Sequence, residues 1–578
     1  MKANAVLAAL AALFLAAAAP SPSDQTVAYT ATPVVEDGVL KGLDVNLSFR
    51  GDADGETTLS LPDRWAGEVE YWRHLENLRV EGAEATTPNP ASRVLTHAPG
   101  ARITVRYRVT TAFDEDPKVG NENPYRPIIR PRWFSVLGNA VFASPEGDES
   151  RLADFRWADV PAGWTVASDL DHASKGRRTT LGDIVESVMV GAPDLTVVTR
   201  RAAGAEFRIA IIGRDWTFKP EELGELMGRV IDAERGYWKS PGESYFVALA
   251  PMIAPSKDWV SVGGTGRDDG FSLYAGTNSP IASMSYLLAH EHMHTFNPRM
   301  LGRMPKGDDE ALGYWFSEGF TDFLTHRVLL RSGVWSLEDF VEHLNEELKA
   351  YAESPARLAT NEEIRTGFWK SYDLSKLPYR RGMLIAHVWD HRLRTLSGGR
   401  RDLDDVFQTQ LKAAGRQDAA GEWVLATDNF FAAWKQAGGA DLSGDVARHV
   451  TRGEAVLLPA DLFGTCARVE TVTRPPFARG WDPEATTAAD NIVTGLKDDS
   501  PAYKAGLRNG MKIIKRAFGE VGNSQVEYGL RVEVDGKEQL FRFMPVGEGP
   551  DMTLQTVVLA PAMDEETRAA CARRMSGG

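Results

Sequence analysis

Apolar and polar residues alternate along the first third of the chain. In "GVLKGLDVNLSFRG" and "ARITVRYRVTTAF" apolar side chains recur at about every second position, and glycine, proline and aspartate separate such segments. A period of two is typical of strands that bury one face. The pattern predicts an N-terminal β-sandwich-like domain over residues 23–203.

The pattern changes after about residue 205. "FRIAIIG" and "YFVALAP" are short apolar runs on either side of a helix-like segment, "PEELGELMGRVIDAERGYW". Apolar residues then recur near the 3.6-residue period in "LEDFVEHLNEELKAYAE", "RRGMLIAHVWDHRLRTL" and "LDDVFQTQLKAA". We therefore predict a multidomain α+β protein with a mostly helical domain over residues 204–462. Strand signals return in residues 463–565, and residues 566–578 form a C-terminal tail.

The N-terminus carries an apolar run from Ala3 to Ala19 after a single lysine. This is typical of a secretory signal peptide, here residues 1–22, and it predicts an exported protein that is periplasmic or secreted. An uncleaved membrane anchor is the alternative. No later stretch of the sequence is apolar enough to cross a membrane, so we expect no stable membrane span after cleavage.

Net charge and cysteine content limit the classes of binding partner and the cellular compartments that the sequence allows. The net charge of -15 argues against a nucleic-acid partner, because phosphate contacts need a basic surface. The two cysteines, Cys466 and Cys571, are a disulfide candidate in an exported protein. Two buried free thiols are the alternative.

Three histidines stand at every second position in "LLAHEHMHTFNP", residues 287–298. A strand would direct all three to one side, whereas a helix would separate them. Ser279-Pro280 is typical of a helix start, with serine as the cap, and Pro298 is typical of a helix end. The helical interpretation is therefore favoured.

On that helix His290 and His294 lie about 40° apart and can bind one metal ion, while His292 points about 160° away from His294. With Glu291 they form an H-E-x-x-H zinc motif in which His292 is a bystander. Glu291 would be the general base that takes a proton from a zinc-activated water. A chance match in a long chain is the alternative.

A second predicted helix, "YWFSEGFTDFLTHRVLL", supplies the expected third ligand, Glu318. Two neutral histidines and one glutamate leave an open position for water on zinc. Asp322, four residues on, would accept a hydrogen bond from a ligand histidine and fix its tautomer. A helix salt bridge for Glu318 and a solvated face for Asp322 are the alternatives. A third histidine ligand is excluded, because Asn297 and Met300 occupy the required positions.

These segments resemble the glycyl aminopeptidase family of gluzincins, metallopeptidase family sixty-one. "HEHMHTFN" is similar to its H-E-x-x-H-T-[WF]-N helix, and "WFSEGFTDF" to its W-x-x-E-G-F-T segment. Tyr379-Arg380-Arg381-Gly382 is similar to its Y-x-[KR]-G motif. The resemblance implies a thermolysin-like catalytic domain, one Zn²⁺ per chain and a peptide or protein substrate. It also implies that Tyr379 stabilises the oxyanion, where a buried tyrosine at a helix start is the alternative.

The resemblance extends to a glycine-rich strand in "VGGTGRDDGFSLY". Gly263 and Gly264 match the family's G-G-x-E, which implies substrate binding by pairing with the strand edge. Gly266 stands where the family has the glutamate that anchors a substrate's free amine. The resemblance therefore implies zinc-dependent peptide hydrolysis of the aminopeptidase type, and the absence of this glutamate leaves an endopeptidase as the alternative.

The segment "DDSPAYKAGLRNGMKII" resembles the S-P-A-x-x-A-G-L-x-x-G-D segment of PDZ domains, with Met511 in place of the aspartate. It implies a PDZ-like domain over residues 463–565 that binds a peptide C-terminus by strand addition. A docking module without a ligand is the alternative. Two further hypotheses for the whole chain are a catalytically weak peptide-binding PDZ protein and a zinc hydrolase of a non-peptide substrate.

Overall fold

The computed structural model describes residues 26–577, with gaps at 119–123, 148, 176–177, 241–242, 255, 257–258, 414, 416 and 418–422. The predicted signal peptide, residues 1–22, lies outside the described residues. The chain divides into two compact units. Of the described residues, the first unit comprises those within 26–199, 206–220 and 243–280, and the second comprises those within 200–205, 221–242 and 281–577.

The described part of the chain before residue 280 is built mainly from strands. These are β1 Val27–Glu36, β2 Val39–Arg50, β3 Glu56–Ser60, β4 Leu75–Glu81, β5 Glu84–Asn89, β6 Ser92–Thr96, β7 Arg102–Val109, β8 Ile128–Arg130, β9 Trp133–Leu137, β10 Ser144–Pro145, β11 Leu152–Trp157, β12 Thr165–Ser168, β13 Thr179–Thr180, β14 Val188–Ala192, β15 Thr196–Ala202, β16 Ala205–Ile211, β17 Tyr245–Met252, β18 Val262–Gly266 and β19 Gly270–Gly276. Two short helices, α1 Gly138–Val141 and α2 Leu181–Val185, and two 3-10 helices, Tyr71–His74 and Asp169–Lys175, connect them.

The N-terminal strands form a six-stranded sheet in the order β13-β11-β1-β2-β7-β4, accompanied by two four-stranded sheets. The predicted alternation is confirmed in β7, where Ile103, Val105, Tyr107 and Val109 are buried and the intervening residues are more exposed. These side chains join one hydrophobic cluster with the buried faces of β1 and β2. Period-two burial therefore builds the hydrophobic core of these strands.

A five-stranded sheet in the order β15-β16-β17-β19-β18 follows. Strands β16, β17 and β19 are parallel, and β18 pairs antiparallel with β19 at the end of the sheet. β18 carries the two predicted glycines. A Cβ at Gly264 would lie 2.2 Å from the carbonyl oxygen of Ser272, whereas a Cβ at Gly263 would meet nothing within 4 Å. Only Gly264 is therefore required for close packing of β18 on β19.

Helices dominate the second unit. They are α3 Pro220–Trp238, α4 Ser285–Met293, α5 Tyr314–Arg331, α6 Leu337–Glu353, α7 Asn361–Gly367, α8 Tyr372–Ser397, α9 Leu403–Lys412, α10 Ala426–Gln436, α11 Ser443–Asp445, α12 Pro483–Ala488, α13 Pro501–Lys504 and α14 Glu565–Met575. Two 3-10 helices, Ile281–Met284 and Gly307–Gly313, and a π-helix, Val446–Thr451, extend them. Five strands complete the described part of the unit: β20 Ala467–Arg474, β21 Lys512–Phe518, β22 Tyr528–Val534, β23 Lys537–Phe543 and β24 Met552–Leu559, which pairs with β20.

Two helix starts differ from the sequence prediction. The zinc-motif helix was predicted to begin with Ser279 as its cap, but Ser279 donates its hydroxyl to the carbonyl of Ser261 and helical structure begins at Ile281. Helix α8 begins seven residues before Tyr379, because Ser371 caps it and accepts from the backbone N–H of Leu374. Tyr379 therefore lies inside a helix that also contains Pro378.

Helices α5 and α8 cross at two glycines within the main hydrophobic core of the second unit. A Cβ at Gly319 would lie 2.3 Å from the Cα of Gly382, and a Cβ at Gly382 would lie 1.8 Å from the carbonyl oxygen of Trp315. The two backbones are thus in direct contact. This crossing brings Glu318, next to Gly319, into the same region as Tyr379, one turn before Gly382.

The C-terminal part of the second unit contains a three-stranded sheet in the order β21-β22-β23 over its own small hydrophobic cluster. The residues predicted as a tail form helix α14. Cys571 in this helix is disulfide-bonded to Cys466, immediately before β20. Among the described residues, no helix is long and apolar enough to cross a membrane.

Candidate zinc site

Helices α4 and α5 bring the three predicted ligands together. His290 lies in the last turn of α4, His294 is its C-terminal cap, and Glu318 lies in the second turn of α5. The Nε2 atoms of the two histidines are 3.1 Å apart, and they lie 3.4 Å and 3.2 Å from Oε2 of Glu318. Zinc bound tetrahedrally at about 2.0–2.1 Å would separate its ligand atoms by about 3.4 Å. The spacing of these three atoms therefore fits a zinc ion.

The outer nitrogens of both histidines are occupied by hydrogen bonds that fix their tautomers. Nδ1 of His290 lies 2.7 Å from Oδ1 of Asp322, and Nδ1 of His294 lies 2.9 Å from the carbonyl oxygen of Asn297. Because both acceptors require a proton on Nδ1, each Nε2 presents a lone pair to the centre of the cluster. Asp322 thus lies where the sequence predicted it.

Charge at the cluster favours a cation. Burial opposes ionisation of Glu318, but His294 and His290 outweigh it and lower the pKa of this carboxyl. Burial likewise opposes protonation of His290, yet hydrogen bonds to Asp322 and Glu318 raise its pKa well above the usual value. The pKa of His294 is also raised, against burial, by Glu318. The cluster therefore holds anionic charge among buried groups, and protons compete with the metal for the same nitrogens.

A tyrosine that the sequence did not single out supports this arrangement. Tyr286, one turn before His290 in α4, donates its hydroxyl to Oδ1 of Asp322, the atom that accepts from His290. Burial raises the pKa of Tyr286 well above its usual value, and the charge on Asp322 adds to the effect. Tyr286 therefore stays a hydrogen-bond donor and orients the carboxylate that orients His290.

Asn297 joins the end of the ligand helix to α5. Its side-chain amide donates to Oγ1 of Thr321 at 3.0 Å and to the carbonyl oxygen of Ser317 at 3.3 Å, on either side of Glu318. The same residue accepts from His294 through its backbone. The asparagine of "HTFN" thus sets the position of two ligands relative to each other.

Glu291 and Tyr379 border the cluster. Glu291 is partly buried and lies close enough to raise the pKa of both His290 and His294 electrostatically. The ring of Tyr379 is stacked beside that of His290, with centroids 5.8 Å apart and planes inclined by 24°. A carboxylate and a phenol thus flank the three ligand atoms.

His292 lies outside the cluster. Its side chain is fully buried, and its Nδ1 lies 2.7 Å from Oε2 of Glu234 in α3. Burial lowers the pKa of His292 to about 3 and raises the pKa of Glu234 well above its usual value. The pair is therefore neutral, with a single hydrogen bond between an imidazole and a carboxylic acid. Glu234 is a residue that the sequence pattern did not indicate.

The predicted substrate-binding glycines lie in the first unit, on the end strand β18. Gly266, at the position of the family's amine-anchoring glutamate, is the last residue of this strand and pairs with Phe271.

The sequence matches the family model of M61 glycyl aminopeptidase over residues 283–376, which include both histidines and Glu318 but end before Tyr379. No curated protein sequence matches the chain. The fold is similar to that of a crystal structure of an aminopeptidase N family protein from Idiomarina loihiensis, with a TM-score of 0.69 and 15% identity over 96% of this chain and 99% of that one. An M1 zinc metallopeptidase from Deinococcus radiodurans is less similar, with a TM-score of 0.46 and 17% identity over 75% of this chain and 94% of that one.

The family match and the ligand geometry lead to the same chemistry. The matched segment contains the three ligands, and their atoms lie within 4.8 Å of one another among groups whose tautomers suit a metal. The protein is therefore a zinc metallopeptidase whose residues 283–376 match the M61 glycyl aminopeptidase family.

Proposed function

We propose that the protein is an exported aminopeptidase that removes residues from the free amino end of peptides. The observation that carries this proposal is the cluster of His290, His294 and Glu318 with Glu291 beside it, within a segment matched to glycyl aminopeptidases. Two histidines and one glutamate leave a coordination position open, as hydrolysis requires.

Each group beside the cluster has a defined role in this proposal. Zinc held by the three ligands supplies Lewis-acid chemistry that lowers the pKa of water and polarises the substrate carbonyl. Glu291 accepts the proton of the attacking water and delivers it to the leaving amine. Tyr379 donates a hydrogen bond to the oxyanion of the tetrahedral intermediate. Asp322 and Tyr286 keep Nε2 of His290 directed at the cluster.

Endopeptidase activity is the second candidate, because Gly266 has no carboxylate with which to anchor a substrate's amine. Cleavage of matched peptide pools with free and with acetylated amino ends separates the two. Acetylation should abolish cleavage by an aminopeptidase. Equal cleavage of both pools would instead establish an endopeptidase, and the absence of cleavage in both would refute the proposal of a peptidase function.

The role of Glu291 is tested by Glu291→Gln, which keeps the size of the side chain but not its basicity. The variant should bind zinc like the wild type and lose about 10²- to 10⁴-fold in kcat, the usual contribution of a general base. Glu342→Gln, the same exchange at an exposed position of α6, is a control for handling of the protein. Full activity of Glu291→Gln would rule out this role.

Export is supported by the apolar N-terminal run and by the pairing of Cys466 with Cys571, since disulfides persist in oxidising compartments. Sequencing the mature protein from its natural host should give an amino end near residue 23. An amino end at Met1 in a cytosolic fraction would contradict export.

Two peptide-binding surfaces belong to the same proposal. The outer edge of β18, with the open Gly263, would pair with an extended substrate. The region 463–565 would act as a PDZ-like domain, supported by Ser500 and Pro501 at the start of α13 and by Gly506 and Gly510 with positive φ. Peptides with free C-termini should bind this region more tightly than their amides, and equal binding would refute recognition of chain ends.

A further inference from the structure

One face of α8 carries a cation beside the catalytic region. Tyr372, Lys376 and Tyr379 are spaced by four and three residues and so project from the same side of the helix. The ammonium nitrogen of Lys376 lies 5.1 Å from the ring centroid of Tyr379 and 6.0 Å from that of Tyr372. Since the ring of Tyr379 stacks beside His290, only one aromatic ring separates this ammonium from a zinc ligand.

The neighbouring cations of α8 are already engaged. Arg380 donates to Glu347 at 2.9 Å, and the buried Arg381 donates to the carbonyl oxygen of Ala359 at 2.7 Å. In the part of the chain that the structure describes, Lys376 contacts two tyrosine rings and has no ion pair with a carboxylate. Cation–π contacts direct an ammonium but do not neutralise its charge. Lys376 therefore presents a partly buried ammonium that no carboxylate of the described residues reaches within ion-pair distance, although Glu347 attracts it electrostatically.

We propose that Lys376 binds a carboxylate of the substrate and makes the enzyme selective for short peptides with a free C-terminus. The proposal rests on the proposed peptidase function and adds a substrate class to it. An extended chain advances about 3.3–3.6 Å per residue, so a terminal carboxylate stays near the scissile bond only in di- and tripeptides. An acidic side chain next to the scissile bond offers the same chemistry from a different source.

Binding is measured first, with zinc-loaded Glu291→Gln protein, so that turnover is not needed. The ligands are glycylalanine and glycylalanylalanine, each as the free acid and as the C-terminal amide, and glycylaspartic acid α-amide, which keeps only its side-chain carboxylate, as the acidic side-chain arm. A charge-assisted contact predicts that the free acid binds about 10-fold or more tightly than its amide. Tighter binding of the aspartyl α-amide than of glycylalanine amide would identify side-chain carboxylates as a second source.

The test variant is Lys376→Met, which keeps the length of the stem and removes the charge. It should reduce the acid-to-amide ratio of dissociation constants to about 1, and Lys376→Arg should restore a preference for the acid. Lys435→Met, at an exposed lysine of α10, removes one positive charge elsewhere and should preserve the ratio. In active enzyme the same loss should appear in KM rather than in kcat.

Two results would overturn the proposal: equal affinity of the Glu291→Gln protein for acid and amide, or an unchanged acid-to-amide ratio when Lys376→Met is added. An unchanged ratio with weaker binding of both ligands would show that Lys376 only positions Tyr379. Failure of the peptidase function is distinguishable, because it would appear as no cleavage by the wild-type enzyme while the binding ratios still report on Lys376.

Discussion

His292 and His294 are two residues apart, yet their side chains have different partners in this structure. His294 directs Nε2 at the other ligands, whereas His292 is buried against Glu234 on the far side of α4. We predict that His294→Ala abolishes zinc binding, while His292→Ala keeps one zinc per chain and lowers stability by about 2–4 kcal/mol, because it opens a cavity and leaves Glu234 without its partner. Metal analysis and urea unfolding measure the two effects separately. Loss of zinc in both variants would show that His292 takes part in the site.

A buried acid in the first unit makes stability depend on pH. Asp169 accepts from the backbone N–H of Val188 at 2.8 Å and from the hydroxyl of Ser168 at 3.1 Å, and burial raises its pKa to about 7. The unfolded value is about 3.9, so between these values the native state holds a proton that the unfolded state lacks. The stabilisation is therefore complete below about pH 3.9 and is lost as the pH rises through 7.

Asp169→Asn keeps an oxygen acceptor but cannot ionise. We expect the variant to raise the Tm of the first unit above pH 7 and to lose this advantage progressively as the pH is lowered. Thermal unfolding at several pH values measures the effect, with the exposed Asp154→Asn as the control. If the difference in Tm between variant and wild type were the same at every pH, Asp169 would not ionise in the pH range tested.

At the level of single residues, the sequence predicted those that local spacing links, and the role of Glu291 among them stays a prediction. His290, His294 and Glu291 follow from the helical period, and Glu318 follows from a second motif. Tyr286 and Glu234 did not stand out, because each acts through a residue 36 or 58 positions away that only the packing of helices brings near. Lys376 did not stand out either, because its place near His290 depends on the ring of Tyr379 and on the packing of α8.

Among the elements, the crossing of α5 and α8 is the most sensitive to substitution. Gly382→Ala would place a methyl group 1.8 Å from the carbonyl oxygen of Trp315, so the helices must separate. We predict a loss of about 1–3 kcal/mol in stability together with a fall in kcat, because Tyr379 and Glu318 would move apart. Gly236→Ala, at an exposed position of α3 with no neighbour within 4 Å, is the matched control and should gain up to about 1 kcal/mol. If both variants behaved alike, helix propensity and not the crossing would set the result.

Periodicity predicted most long elements to within a residue or two, and the reasons for its failures are local. Helices α3 and α6 occupy the segments for which the 3.6-residue pattern predicted helices. Both have an amphipathic face, and Ser336 also caps the start of α6. The start of the ligand helix was placed too early, because the hydroxyl of Ser279 donates to the carbonyl oxygen of Ser261. The start of α8 was placed too late, because Pro378 is tolerated within a helix whose first turn is capped by Ser371.

At the scale of the whole molecule, one covalent bond closes the C-terminal region. The Cys466–Cys571 disulfide spans 105 residues, encloses β20 to β24 and fixes α14, whose Arg568 also pairs with Glu338 of α6. A cross-link over a loop of about 100 residues stabilises by about 4.7 kcal/mol in the chain-entropy description, and measured values are often smaller. The zinc ligands lie on α4 and α5, outside this loop.

We therefore predict that Cys466→Ala/Cys571→Ala protein keeps its zinc but unfolds its C-terminal region at a lower urea concentration, with a loss of about 2–5 kcal/mol. Alanine is preferred to serine because both positions are buried and a hydroxyl would lack a partner. Limited proteolysis should cut the variant first between residues 466 and 571, and reductant should have the same effect on the wild type. An identical urea transition in reduced and oxidised wild-type protein would show that packing of α14 on α5 and α6 holds this region without the bond.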